Sequence, residues 1–233
     1  MSSSLPKGMS VLNVFAEFRD AAQAMGVSHC ACFLMPPGIS VGARETSILF
    51  WGFTPFWTSL LNDERVGAVR FVEKLLDDGL PKSWADAAMQ EPRNGRLWQQ
   101  IDGFVRAAEL SGFILPTYGP HAYQCLFSFA VPRRTTTGHD AWFARFQQLA
   151  DKSSRLLAIA KYRELQNQLA LSDREKAVLQ QMAYGKSKVA AAALLGISVA
   201  SVDTYLRRVY VKLGTHDRVD AVLRAVAFGI IKL

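Results

Sequence analysis

The sequence predicts an α/β sandwich (α-β-α) followed by an all-α unit of four helices. Three observations lead there. Residues 10–165 alternate helix-like apolar periods with four strand-like runs, at 29–35, 47–53, 112–118 and 122–132. From Leu171 to Leu233 only helical periods occur, and a Gly196-Ile197-Ser198 turn separates two of them. The charge is uneven: ten Lys and Arg against five Asp and Glu from Leu171 onward give +5 of the chain's net +7. A small basic unit attached to a nearly neutral body suggests a polyanion-binding module on a regulatory part. The expected organisation is a first domain over 1–166, a linker at 167–170 and a second domain over 171–233.

Bulk properties agree with this division. A chain of 233 residues is long enough for two modest cores. Half its residues are apolar and a fifth charged, an ordinary globular balance. No apolar run approaches the ~18 residues of a membrane span. The start, MSSSLPKGMS, lacks the apolar core of a secretory signal. Cys30, Cys32 and Cys125 form no metal pattern, and Cys30-x-Cys32 is too close for a structural zinc pair. Reduced, buried thiols in a cytoplasmic protein without a membrane are expected.

In the first domain a helix over about 11–25 places Val14, Phe15 and Phe18 on one side. The strand runs at 29–35 and 47–53 follow it. A helical middle is expected over 56–76 and 95–111, with Trp98 in the core. The runs at 112–118 and 122–132 make a hairpin around Gly119-Pro120. A long helix over about 140–168 carries Trp142, Phe143, Phe146, Leu149, Leu156, Leu157 and Ile159. Part of it faces the sheet and part is left for a second copy of the chain.

The second domain opens on Ser172 and Glu175, the S-x-x-E capping box of a first helix. Gly185 ends that helix in a position suited to a left-handed cap. A second helix, 188–195, is nearly all alanine and leucine, which lets backbones approach closely. Gly196 can take positive φ at little cost, and Ser198 caps the next helix. In that third helix, 199–213, Val202, Leu206, Val209 and Leu213 form the buried stripe. Its other side carries Ala200, Ser201, Asp203, Thr204, Arg207 and Arg208. A fourth helix, 218–230, either closes the domain or pairs with its copy.

Short helices joined by a tight turn, with a basic third helix, are the plan of a helix-turn-helix DNA reader. Arg207 can donate twice to a guanine edge, and Asp203 can accept from a cytosine amino group. Asp203 and Arg207 can equally form a plain i,i+4 surface pair. Lys186, Ser187, Lys188, Arg208 and Lys212 suit phosphates, which give affinity without sequence information.

The run LSDRE…VL…GKS…LLGIS..SV..Y…KLG…R..AV..A…GII resembles the LuxR-type DNA-binding domain over essentially all of 171–233. The chain departs from that family at Ala190-Ala191-Ala192, where Glu-Ile-Ala is usual, and at Tyr205, where His is frequent. The first domain resembles the same family's autoinducer-binding domain. Trp57, Trp84, the Gly112-to-Pro116 strand and Ser128 fall where that family has its pocket. The resemblance implies that Trp57 donates to a lactone carbonyl, Trp84 walls the pocket and Ser128 reaches the acyl amide. Leu61 replaces a pocket tyrosine, Val69 and Arg70 replace an Asp-Pro pair, and Phe53 stands where a tyrosine is common. A valine at 69 cannot accept a ligand N–H, a loss of about 1.5–3 kcal/mol.

Three readings of this altered pocket stay open: a less polar ligand, a pocket filled by aromatics of the chain (Phe33, Phe50, Trp51, Phe53, Phe56, Trp57, Phe71), or a lactone held by other groups. The resemblance further implies a homodimer on a two-fold symmetric DNA operator. An antagonist acting by heterodimerisation with another LuxR-type regulator is the alternative. No cofactor is expected beyond a small apolar or acyl-homoserine-lactone-like signal. No enzyme is expected either: the four histidines are scattered, and P-loop, nucleophile-elbow and dinucleotide motifs are missing. Cys125 with His121 on one strand would lie ~13 Å apart, too far for proton transfer.

Overall fold

A computed structural model describes residues 9–37, 46–52, 68–88, 99, 103, 109–132 and 139–232. Phe53, Phe56, Trp57, Leu61, Trp98 and most of the expected helical middle lie outside the described residues. By packing, the chain separates into two units, divided between Ala160 and Lys161.

The first unit begins with α1 (Val11–Ala24), capped by the Ser10 hydroxyl on the Asn13 N–H. Strands β1 (His29–Met35) and β2 (Ser47–Trp51) follow. Next come α2 (Ala68–Asp78), a two-residue strand β3 (Lys82–Ser83) and α3 (Trp84–Ala88). Strands β4 (Leu110–Tyr118) and β5 (Gln124–Pro132) are joined by a 3-10 turn at Pro120–Ala122. The 30-residue helix α4 (His139–Gln168) completes the series. The sheet is antiparallel in the order β2-β1-β5-β4-β3. Sequence patterns missed β3 and α3, which are too short to show a period. The expected helix over 95–111 gives way to strand at Leu110 and Ser111, because β4 pairs with β5 as far as Leu110↔Pro132.

Register sorts the side chains into two faces. One face carries Cys30, Cys32, Trp51, Phe113, Phe127 and Phe129. It packs on α1 through Phe18, whose ring lies 4.8 Å from Phe127 and 5.7 Å from Trp51. It packs on α4 through Phe146, 3.9 Å from Phe129, and Phe143, 5.9 Å from Phe113. Each fully buried Phe contributes about 1.5–3 kcal/mol. Trp142 stacks on Phe146 and donates its indole N–H to the Met25 carbonyl at 2.8 Å. The other face carries Ala31, Phe33, Gly112, Ile114, Ser128 and Ala130 under α2 and α3, and the Tyr118 hydroxyl donates to the Leu76 carbonyl. Helices on both faces make the α-β-α sandwich. Trp51 is therefore in the other layer from Ser128 and cannot fill a pocket there, contrary to its place among the expected pocket aromatics.

The second unit contains the last turns of α4 and four helices. These are α5 (Asp173–Ala183), α6 (Lys188–Leu195), α7 (Val199–Leu213) and α8 (Arg218–Ala227). Ser172 and Glu175 form the capping box, and Ser187, Ser198 and Asp217 cap α6, α7 and α8. Gly196 sits at φ 63°, so the chain turns without a Cβ penalty, and α6 and α7 bend by 105° across it. Two buried clusters hold the unit. One joins Val178, Met182, Ala191, Val202 and Leu206; the other joins Leu179, Val209, Leu213, Ala221 and Ala225. The fourth helix stops at Ala227, three residues short of the expected end. Gly229 takes φ 63° and Ile230 N–H bonds back to the Ala225 carbonyl, closing the helix. Tyr162 and Gln166 of α4 donate to the Gly229 carbonyl, which explains why the packing division falls inside α4.

Candidate nucleic-acid interface and buried tryptophan cluster

Helix α7 buries Val202, Leu206, Val209 and Leu213 and turns Ala200, Thr204, Arg207 and Arg208 outward. Among the described residues neither arginine takes part in an ion pair, so two guanidinium groups stand open on one helix face. Asp203 does not pair with Arg207. It accepts from Lys188 of α6, Nζ to Oδ1 at 2.5 Å, and that carboxylate raises the pKa of Lys188. The i,i+4 reading gives way because α6 crosses beside Asp203 and offers a better-placed cation. Lys188 is thus neutralised by a neighbour. Lys186 is exposed, and the hydroxyl of Ser187 is occupied by the Ala190 N–H.

Lys212 also has a structural partner. Its ammonium donates to Glu175 Oε2 at 2.6 Å and to the Ala170 carbonyl at 3.2 Å. Glu175 is 3% exposed and also accepts the Ser172 N–H at 2.7 Å. Burial works to raise its pKa, but the Lys212 and Ser172 hydrogen bonds outweigh it and the net shift is downward. The end of α7 is thereby fastened to the start of α5. Ser198 and Ser201 share a hydrogen bond at 2.8 Å. Sequence reasoning missed Val211, 79% exposed on the same outward face. Its signal was the spacing: Val211 lies four residues beyond Arg207 and seven beyond Thr204.

In the first unit the structure brings together three of the expected pocket residues. The indole of Trp84 lies against Gly112: a Cβ there would overlap Trp84 Cδ2, Cε3 and Cε2. The indole N–H donates to Ser128 Oγ at 3.1 Å, with Trp84 3% and Ser128 9% exposed. Ser128 has Ile114 and Ala31 as register neighbours on either side. Those two were not singled out from sequence, since naming them requires the pairing of β5 with both β1 and β4. Val69 lies in the first turn of α2. Phe53, Trp57 and Leu61 lie outside the described residues. A groove of about 580 Å³ opens on the opposite face of the sheet, lined by Lys82, Phe113 and Phe143. Two of its polar groups are paired within the chain, Lys82 with Asp78 and Ser83 with Asp86.

The cysteine–histidine pair dissolves. His121 is not on β5 but in the 3-10 turn before it, at φ 59°. Cys125 is fully buried, and burial pushes its thiol up to about 12. Cys30 and Cys32 are buried and raised for the same reason, so all three are reluctant nucleophiles. Among the described residues no cluster of His, Cys, Asp and Glu could hold a metal ion, and no single helix is long and apolar enough to cross a membrane.

Fold and site together define a two-unit protein with a helix-turn-helix at its C-terminal end. Residues 169–225 match the family "Bacterial regulatory proteins, luxR family", and the chain carries a DNA-binding domain of that family. It is 34% identical over 154 residues to "Putative HTH-type transcriptional regulator y4qH" of Sinorhizobium fredii. That alignment covers 66% of this chain, and the chain spans about half (47%) of that relative. The fold is similar to the crystal structure of Escherichia coli SdiA, with a TM-score of 0.68 at 18% identity over 97% of this chain and 94% of that one. A structure of SdiA in complex with octanoyl-rac-glycerol gives a TM-score of 0.65 at 18% identity, over 96% and 91%.

Proposed function

We propose that the chain is a dimeric transcriptional regulator of the luxR type that reads a two-fold symmetric DNA site through α7 and responds to a small, mainly apolar acyl ligand. The open guanidinium face of α7, with Arg207 and Arg208 outside any ion pair among the described residues, carries the DNA reading. Cations left open on an exposed helix of a helix-turn-helix suit the phosphates and guanine edges of a major groove. The ligand reading rests on Trp84 and Ser128. The Trp84 indole N–H is already taken up by the Ser128 hydroxyl oxygen, and Val69 replaces the carboxylate that would anchor a polar head. An acyl chain asks less of such a site than a lactone amide does. The shared fold with SdiA, which binds octanoyl-rac-glycerol, supports the same class.

A thermal melt of the full-length protein, purified from a host that makes no lactones, tests the ligand class. Octanoyl glycerol at a hundred times its dissociation constant adds about 2.7 kcal/mol and raises the midpoint by several degrees. A larger shift from acyl-homoserine lactones than from acyl glycerols overturns the apolar reading. Light scattering tests the dimer, and a monomer at micromolar concentration refutes it.

A further inference from the structure

Thr204 lies at the centre of the outward face of α7. Its hydroxyl donates to the Ala200 carbonyl one turn back, at 2.9 Å. Threonine in a helix readily bonds back in this way. The γ-methyl is then the group this side chain offers to a partner. Ala200, four residues earlier on the same face, adds a second methyl. Both residues are exposed. With Ser201, Tyr205 and Arg208 they line a shallow open notch of about 260 Å³. The Ser201 hydroxyl is engaged by Ser198, so the polar groups that the notch offers beside the two methyls are the Tyr205 hydroxyl and the Arg208 guanidinium. Its rim is cationic, because Arg207 and Arg208 stand beside it.

Methyl groups flanked by open guanidiniums suit a partner that is anionic overall but offers a methyl at the point of contact. Major-groove base edges carry one methyl, the C5-methyl of thymine. We infer that Ala200 and Thr204 are specificity-determining residues that read a thymine methyl in each half-site, with the arginines holding the DNA around it. The inference rests on the DNA-reading function proposed above and adds what is read. Asp203, held by Lys188, has no methyl to offer and takes no part in that contact.

The test uses the full-length protein and duplexes selected by it from a randomised pool. Each thymine of the selected site is replaced by deoxyuridine, which keeps the base pair and removes only the methyl. Wild-type protein should bind about fourfold more weakly at one position per half-site, the worth of one buried methyl group. Thr204→Ser keeps the hydroxyl and loses the methyl, and should erase the discrimination at that position. Thr204→Val keeps the methyl and loses the hydroxyl, and should retain it. Affinity unchanged by deoxyuridine at every position overturns the inference, as does a Thr204→Ser protein that still discriminates. A pool from which no sequence is enriched refutes the DNA reading itself, a distinguishable failure.

Discussion

The two units place their polar side chains in opposite ways. In the C-terminal unit most of them sit at helix ends and on the surface, Lys161 within α4 being an exception: Ser172, Ser187 and Ser198 cap helices, and Lys188 meets Asp203 between α6 and α7. The buried carboxylate among its described residues, Glu175, is itself part of a cap. In the N-terminal unit a polar pair is buried between apolar layers, Trp84 on Ser128, with no charge to assist it. The first arrangement fixes helices by many local, independent bonds. The second makes one buried donor depend on one acceptor. Damage to the two units should therefore differ in size and in what reports it. All five tryptophans precede Phe143, so tryptophan fluorescence reports the N-terminal unit while far-UV circular dichroism and hydrogen exchange also follow the C-terminal helices.

The largest effect is expected at Glu175. Glu175→Ala removes half of the capping box and strips Lys212 of its partner, which remains partly solvated. Together these cost about 2–3 kcal/mol. Hydrogen exchange in α5 and α7 should accelerate while tryptophan fluorescence melts unchanged. If both probes shift together, the units are not independent and the comparison fails. The same carboxylate sets a pH dependence. Its folded pKa lies below the ordinary glutamate value of about 4.3. The stability it contributes is therefore complete above that value and declines as the pH falls through the lower folded one. Glu175→Gln should lack this acid-side decline in the C-terminal helices.

Gly112→Ala comes next. The added Cβ would overlap the Trp84 ring, whose displacement also breaks its bond to Ser128. A cost of about 2 kcal/mol is expected, read as an earlier tryptophan melt with the C-terminal helices untouched. Ser128→Ala is smaller, about 1–2 kcal/mol, because it leaves one buried indole N–H without an acceptor. A fluorescence melt identical to wild type would mean that Trp84 finds another acceptor.

The same contrast explains what could be read from sequence. Caps, turns and the stripe of α7 are local, so Ser172, Gly196 and Val202 declared themselves at fixed spacing. The fourth helix ended early because a glycine two residues beyond its last turn decides the matter, and apolar periodicity runs past it. Strands β1 and β5 were legible as apolar runs, whereas β3 was not, since two residues have no pattern. Trp84, Gly112 and Ser128 were grouped by family resemblance. Nothing local says that the indole would bond to the serine, because the contact joins residues 44 apart. The partners of Asp203 and Lys212 were illegible for the same reason: helix crossings, not spacing along α7, choose them.

The smallest effect on folding, and the sharpest on function, is expected from Asp203→Asn. Lys188 and Asp203 are both well exposed, so breaking their bond should leave the melt nearly unchanged. For DNA the pair matters more. The carboxylate repels phosphates and occupies a cation at the start of α6. Its removal frees Lys188 for one further phosphate contact, which should steepen the slope of log affinity against log salt by about 0.9 and raise affinity at low salt. A base-reading Asp203 would do the reverse, because the variant would lose affinity for the selected site and keep it for random duplex. Salt titration on both duplexes separates the two outcomes, and with them whether the surface bonds of this unit only hold helices or also set how tightly it grips DNA.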